Sequence, residues 1–261
     1  MITRYDATTT YLPSAEELPY SDGKPVDNEF QNLIPNLLQL ILSSAWKSRT
    51  DWFFGVDMGI YYHPQKPAVV PDGFLSLGVN RSKGGDDEGR SSYVLWEENY
   101  VVPILAIETV SKTYGGEYEQ KRDIYAQMGV LYYAVFLIKP KARRGHQIFE
   151  IYRLVDGEYE LLPGDQVWMP EIGLALGRER GLYNHQVRNW LYWYDESGRR
   201  LPTPQEETEQ ERQRADMEKQ RAEQEKQRAE QEKQRADMEK QRADRLAQKL
   251  RELGLDPEEL S

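Results

Sequence analysis

The chain of 261 residues has a formal net charge of −10 and 39% hydrophobic residues, enough for one sizeable core or two small ones. It contains no cysteine, which excludes disulfides, thiolate metal ligands and cysteine nucleophiles. No stretch approaches the roughly 20 apolar residues that cross a bilayer, and the N-terminus lacks a signal-like apolar run, so we expect a soluble, cytoplasmic protein. The acidic balance argues against a simple nucleic-acid-binding module, because such modules usually carry a basic surface.

The first part of the chain alternates between helical and strand patterns. Apolar residues at helical spacing predict a helix over 28–44, with Asp27 or Asn28 as its N-cap and Pro35 in its first turn or after a shifted start. Runs rich in aromatic and β-branched residues predict strands over 51–62, 68–79, 103–109, 130–138, 147–154 and 159–162, with a helix over 116–128. This order predicts an α/β (α+β) fold with a mixed central sheet flanked by helices.

A sharp change of composition falls at residues 201–204. All six tryptophans and all seventeen tyrosines lie before it, and no aromatic residue follows it. We therefore divide the chain into a domain over 1–204 and a charged segment over 205–261. The run GRERGLY, which begins at Gly177, is interpreted as the end of the domain.

The charged segment repeats every seven residues from Ala215, as ADMEKQR or AEQEKQR. Strong helix formers and ion pairs three or four residues apart predict one long helix. A heptad favours a coiled coil, but pairing the alanine column with the position three residues on puts Glu in four of five core positions. A solvated single helix and self-association through 215–255 therefore remain equal alternatives.

Three ionisable residues occupy positions where chemistry is expected. Asp72 follows an apolar run and precedes Gly73, Glu108 ends the apolar run PILAIE, and Lys121 lies thirteen residues later on the next predicted helix. Each has a structural alternative, because Asp before Gly is often a turn residue and a helix lysine is often a surface residue. Glu108 is the most informative of the three, since a charge at the end of a buried run needs a partner or a metal.

Two carboxylates at neighbouring strand ends can bind one hard cation. Mg²⁺ suits such a site, because it takes oxygen ligands and keeps several waters. The bound ion lowers the pKa of a coordinated water and neutralises charge on a phosphate. A nearby lysine ammonium can orient the attacking water and stabilise the transition state.

The chain resembles the Uma-two family of restriction-endonuclease-like proteins within the PD-(D/E)XK superfamily. The resemblance runs from about residue 12 to about residue 200 and includes the charged tail. It rests on the segments SDGKPVDNEFQ, VVPDGFLSLGV, SYVLWEE, PILAIETVSKT and KRDIYAQMGVLYYAVF. It implies a restriction-endonuclease-like core, a homodimer and DNA as substrate.

The same resemblance implies which residues form the active site. Asp72, Glu108 and Lys121 take the catalytic positions, with Asp72 and Glu108 also binding Mg²⁺, or Mn²⁺ as an alternative. Glu29 on the first helix is the best match to the acidic residue that superfamily members often add to the metal site.

The chain departs from the superfamily motif next to Glu108. The motif would place a lysine two residues later, where this chain has Val110, so Lys121 takes that role. Lys112 is a second candidate for the basic role. Tyr125 is interpreted as packing or orienting, and Gly129 as the C-cap of the helix.

The leading hypothesis is a Mg²⁺-dependent endonuclease that hydrolyses phosphodiester bonds in DNA. The alternative, favoured by the acidic charge, is a catalytically inactive binding or regulatory module that assembles through its C-terminal helix. We expect the three histidines to be structural. Arg178 and Arg180 are either phosphate contacts or solvated surface residues.

Overall fold

The computed structural model describes residues 4–5, 10–19, 29–83, 89–110, 117–138 and 146–252, without the side chains of residues 117 and 118. Internal contacts divide the chain into two units, Met1–Pro204 and Gln205–Ser261. None of the helices within the described ranges is long and apolar enough to cross a membrane.

Among the described residues, the first unit contains two α-helices and eleven strands, and the second contains a third helix. The helices are α1 (Glu29–Ala45), α2 (Arg122–Met128), which continues a π-helical turn (Glu117–Lys121), and α3 (Pro204–Glu252). The strands are β1 (Trp52–Val56), β2 (Ile60–Tyr61), β3 (Gly73–Leu77), β4 (Tyr93–Val94), β5 (Leu105–Val110), β6 (Tyr132–Leu137), β7 (Phe149–Val155), β8 (Glu158–Leu162), β9 (Gln166–Met169), β10 (Leu174–Tyr183) and β11 (Gln186–Tyr194).

The central sheet has six strands in the order β1-β3-β5-β6-β7-β8. Strands β5 and β6 are parallel, as expected for strands joined through a helix, and the other neighbours are antiparallel. Helix α1 packs with the residues of β5 that include Leu105 and Ile107, whereas α2 packs with those that include Ala106 and Val110. The predicted mixed sheet flanked by helices is therefore confirmed.

A second sheet, in the order β11-β10-β9, continues the domain beyond the segment interpreted as its end. The GRERGLY run forms the second half of β10 and pairs along its length with β11. Trp193 on β11 donates from its ring nitrogen to the Leu38 carbonyl of α1, at 3.1 Å. The interpretation of GRERGLY as the end of the domain was therefore wrong, because the chain continues into β11, which packs on α1.

Helix α1 approaches β3 closely at one point. Pro35 lies inside the helix rather than in its first turn, and it is buried. A Cβ atom added at Gly73 would lie 2.9 Å from the Pro35 Cβ, so only glycine allows this approach. The predicted N-cap residues, Asp27 and Asn28, lie outside the described residues.

Two turns match their sequence signals. Gly129 ends α2 with φ of 84°, and its backbone N–H donates to the carbonyls of Tyr125 and Ala126, which confirms the predicted C-cap. Asp156 and Gly157 join β7 to β8 with φ of 50° and 88°, the left-handed pair that a two-residue hairpin requires. By contrast, the predicted strand over 51–62 is broken into β1 and β2 at Asp57, where φ is 48°.

Helix α3 is a continuous helix of 49 residues, as the heptad pattern predicts. It buries none of its described residues. Its largest exposed apolar side chains are Met217, Met238 and Leu246. Pairing through this helix stays a prediction.

Candidate active site

Glu108 lies on β5, the strand at the centre of the sheet, and its side chain is 1% exposed. It shares the α2 face of the sheet with Ala106 and Val110, because side chains alternate along a strand. Asp72 directly precedes β3, whose first residue, Gly73, pairs with Ile107 of β5. Antiparallel pairing therefore brings Asp72 to the edge of the sheet where β5 ends.

Both oxygens of the Glu108 carboxylate accept hydrogen bonds from the helical segment that follows β5. Lys121 Nζ donates to Oε2 at 2.8 Å, and the Tyr125 hydroxyl donates to Oε1 at 2.7 Å. Lys121 also donates to the Val70 carbonyl at 3.0 Å, which ties the helix to the segment before Asp72. Residues four apart lie on one helix face, so a single helical turn positions both donors. The fold thus brings Lys121 into contact with Glu108, as expected. Tyr125 is a hydrogen-bond partner of Glu108 as well as a packing residue.

Asp72 is held by the residue that follows Glu108. Its Oδ2 accepts from the Thr109 backbone N–H at 2.5 Å and from the Thr109 hydroxyl at 2.6 Å. Its Oδ1 accepts no hydrogen bond from the described residues. Burial, followed by the negative charge of Glu108, raises the pKa of Asp72 to about 8 despite the two Thr109 donors. Two carboxylates thus share a poorly solvated site, and one of them holds its proton near neutral pH.

Asp57 is a third carboxylate at this edge, and the sequence analysis missed it. Its backbone N–H donates to the Asp72 carbonyl at 3.2 Å, and its Oδ2 accepts from Asn32 Nδ2 at 2.9 Å. Burial raises its pKa, against the lowering effects of Asn32 and of the Lys121 charge. The signal was an aspartate directly after an aromatic strand, but the expected strand ran through this position.

Glu29 does not join these carboxylates in the structure. It is exposed, and its Oε1 accepts from Gln186 Nε2 at 3.4 Å. The residue of α1 that contacts the end of β5 is Gln31, whose Nε2 donates to the Thr109 carbonyl at 3.2 Å. Residues two apart point to nearly opposite sides of a helix, so Gln31 faces the site while Glu29 faces β11. A metal-binding role for Glu29 stays a prediction.

Among the described residues, the cluster has more carboxyl groups than cationic groups. Asp57, Asp72 and Glu108 all interact with one ammonium group, that of Lys121. Within the described ranges no three His, Cys, Asp or Glu side chains gather closely enough to hold an ion by themselves. Two carboxylates and several waters are a normal Mg²⁺ environment, so the donor set at Asp72 and Glu108 fits that ion.

Two other predicted features lie beside the cluster. Val110, at the position where the superfamily motif has lysine, is buried and packs with α2. Lys112 lies outside the described residues. Lys121 is therefore the described ammonium group that contacts Glu108, and its side chain is 26% exposed.

A family model described as "Uma2: Putative restriction endonuclease" matches residues 10–182. The matched region contains all four predicted site residues, together with Asp57 and Tyr125. A search of curated proteins found no match. Since the model covers well over half of the chain, this protein belongs to the Uma2 family of restriction-endonuclease-like proteins.

Proposed function

We propose that this protein is a divalent-metal-dependent endonuclease that hydrolyses phosphodiester bonds in DNA. In this account Asp72 and Glu108 bind Mg²⁺, or Mn²⁺ in its place. The ion, when bound, would activate a water molecule and neutralise charge on the scissile phosphate. The family assignment supports a nuclease, and the raised pKa of Asp72, caused by burial and the Glu108 charge, supports a cation beside these two carboxyl groups.

Each neighbouring side chain has a role that follows from its contacts. Thr109 fixes Oδ2 of Asp72, so the other oxygen faces a ligand in a defined direction. Tyr125 fixes Oε1 of Glu108 from a fully buried position. Residues that hold metal ligands in this way commonly affect metal affinity and activity by 10- to 100-fold.

Lys121 is the residue that we assign to the chemical step. Its ammonium group contacts Glu108 and its side chain is 26% exposed, so it can reach a water or a phosphate oxygen beside the ion. A positioned ammonium group stabilises the charge that develops on the phosphate during hydrolysis. The salt bridge to Glu108 carries the proposal, because it joins a buried strand carboxylate to a partly exposed cation.

We also propose that the protein acts as a homodimer. Cleavage of both strands of a duplex is often performed by two identical sites related by a twofold axis. The net charge of −10 is the observation that favours the alternative, an inactive module that assembles through α3. That alternative predicts no hydrolysis of any nucleic acid.

The test is cleavage of supercoiled plasmid in Mg²⁺, in Mn²⁺ and in EDTA, with the wild type and the Glu108→Gln and Glu150→Gln variants. Glu150 is a matched control, because it is also a buried sheet glutamate that accepts from a tyrosine, Tyr152, at 2.7 Å. We expect metal-dependent nicking by the wild type and by Glu150→Gln, and loss of nicking in Glu108→Gln. No cleavage of plasmid or RNA by folded wild type would refute the proposal, as would full activity of Glu108→Gln.

A further inference from the structure

The β10–β11 hairpin projects beyond its sheet as a two-stranded ribbon. Strand β9 pairs only with residues 174–177 of β10, whereas β10 and β11 stay paired to Tyr183 and Gln186. The turn residues Asn184 and His185 have φ of 48° and 60°, which matches the tight turn that keeps a twisted hairpin regular. Residues 178–191 therefore form a narrow ribbon, which we call the β-ribbon.

The β-ribbon is fixed to the sheet edge that carries the candidate site. Arg188 donates from Nη2 to the Ile138 carbonyl at 2.9 Å and stacks on the Phe30 ring at 3.6 Å. The Ile138 backbone N–H donates to the Val110 carbonyl, two residues beyond Glu108 on β5. Through these contacts the ribbon lies beside the end of β5 and the start of α1.

The tip of the β-ribbon has exposed apolar side chains. Leu182 and Val187 face each other across the strands and are 68% and 58% exposed. Two residues further toward the sheet, on the same face, lie the polar side chains of the pair Arg180 and Asn189. The tip therefore presents two apolar side chains, followed toward the sheet by the polar Asn189 and the cationic Arg180.

The charged side chains on β10 differ in their pairing. Arg178 forms a bidentate pair with Asp165, at 2.9 and 3.0 Å. Glu179 lies 3.4 Å from Arg200. Arg180 is exposed, and no acidic side chain of the described residues forms an ion pair with it. Of the two arginines of β10, Arg180 is therefore the one available for an external anion.

We propose that the β-ribbon enters a groove of duplex DNA, with Arg180 on the phosphate backbone or a base edge and with Leu182 and Val187 against the bases. A two-stranded β-ribbon fits the major groove, and apolar side chains beside an arginine are a common means of contacting base steps. This assignment rests on the proposed function, because the ribbon's place beside the carboxylate cluster is what links it to a scissile phosphate. A second copy of this chain is a less suitable partner for the β-ribbon than DNA. Stable protein interfaces bury about 800 Å² per partner, and two apolar side chains offer far less.

The experiment measures binding of the full chain to a labelled mixed-sequence DNA duplex in Ca²⁺, at several salt concentrations. The variants are Arg180→Ala and the double variant Leu182→Ala/Val187→Ala. Their matched controls are Arg199→Ala, an exposed arginine beyond the far end of β11, and Leu161→Ala, a leucine that is 45% exposed on β8. Circular dichroism and melting temperature confirm that each variant folds.

The two variants should weaken binding in different ways. If Arg180 contacts a phosphate, Arg180→Ala should weaken binding about fivefold and lower the salt slope of log K by about one unit. The double variant should weaken binding roughly tenfold with an unchanged slope, because apolar contacts release no counterions. The two controls should bind as the wild type does.

The outcomes separate this inference from the proposed function. Wild-type affinity in both ribbon variants, with plasmid still cleaved in Mg²⁺, would overturn the β-ribbon assignment and leave the nuclease intact. DNA binding that is weakened by the ribbon variants, together with no cleavage by the wild type, would support the β-ribbon assignment and refute the proposed nuclease activity. If the ribbon variants weakened binding of single-stranded RNA as much as binding of duplex DNA, the assignment would also be overturned, because the ribbon would then not recognise a groove. Loss of self-association with unchanged DNA binding would overturn it as well.

Discussion

The Tyr125 hydroxyl donates to Oε1 of Glu108 at 2.7 Å, and both side chains are almost wholly buried. Burial, followed by the adjacent Glu108 charge, raises the pKa of Tyr125 well above its usual value. The hydroxyl therefore stays protonated and always donates. In the proposed function, this bond sets the orientation in which the Glu108 carboxylate would meet Mg²⁺.

Tyr125→Phe should keep the fold, lower the free energy of unfolding by about 1–3 kcal/mol and reduce metal-dependent cleavage by 10-fold or more. The matched control is Tyr159→Phe, since Tyr159 is partly buried and its hydroxyl donates to the Val130 carbonyl rather than to a site carboxylate. Chemical denaturation and plasmid cleavage provide the two readouts. Equal activity of the two variants would argue against an orienting role for Tyr125.

Asp72 should make the metal-free protein less stable as pH rises. Its folded pKa is about 8, above the unfolded value near 4, so the native state holds a proton that the unfolded state releases. Its contribution therefore falls between about pH 4 and pH 8, by at most about 1.4 kcal/mol per pH unit. Asp72→Asn removes this dependence, because an amide does not titrate.

The difference in melting temperature between Asp72→Asn and the wild type in EDTA checks this sign. The melting temperature of Asp72→Asn should rise relative to that of the wild type as pH rises from 5 to 8. Above pH 8 the difference should level off. A difference that stays constant with pH would show that Asp72 titrates normally in the folded protein.

Mg²⁺ should stabilise the wild type by binding the native state alone. The gain is about 1.4 kcal/mol for each tenfold excess of ion over its dissociation constant. Glu108→Gln should lose this gain, whereas Glu150→Gln should keep it, because Glu150 lies on β7 with His146 and Tyr152 as partners. Melting curves at increasing Mg²⁺ make the comparison, and an equal gain in all three proteins would place the ion elsewhere.

The C-terminal helix offers a test by gain of function. If α3 pairs through its alanine and glutamate columns, Glu225→Leu/Glu232→Leu should tighten self-association about tenfold or more, since leucine favours a coiled-coil core. Glu223→Leu/Glu230→Leu adds the same side chains outside that seam and serves as the control. Sedimentation of the full chain measures both. Equal effects of the two pairs would exclude this seam as the interface.

The sequence predicted the central part of the molecule because its signals are local. The apolar run before Glu108 forms the buried strand β5. Lys121, thirteen residues later, lies on the next helical segment and contacts Glu108. The Pro-Asp-Gly segment was also recognisable locally, although the need for Gly73 comes from a long-range contact, where Pro35 approaches β3.

Two of the three missed features depend on long-range contacts, and the third on an uncommon turn. Asp57 became a site residue because β1 stops there in a left-handed conformation, and its amide reaches Asp72. The β10–β11 hairpin was missed because its turn is Asn184-His185 rather than the common Asn-Gly. Gln31, rather than Glu29, lies beside the site, because packing on β5 and β11 sets the rotation of α1 about its axis.

The most direct test of the central claim separates metal binding from hydrolysis in Lys121→Met. Calorimetry should show Mg²⁺ bound at least as tightly as by the wild type, since the variant frees Oε2 of Glu108 from its ammonium partner. Plasmid cleavage should fall 100-fold or more, because the residue assigned to the chemical step is gone. Lys66→Met, at an exposed lysine, should match the wild type in both assays. Cleavage by Lys121→Met at the wild-type rate would contradict the account.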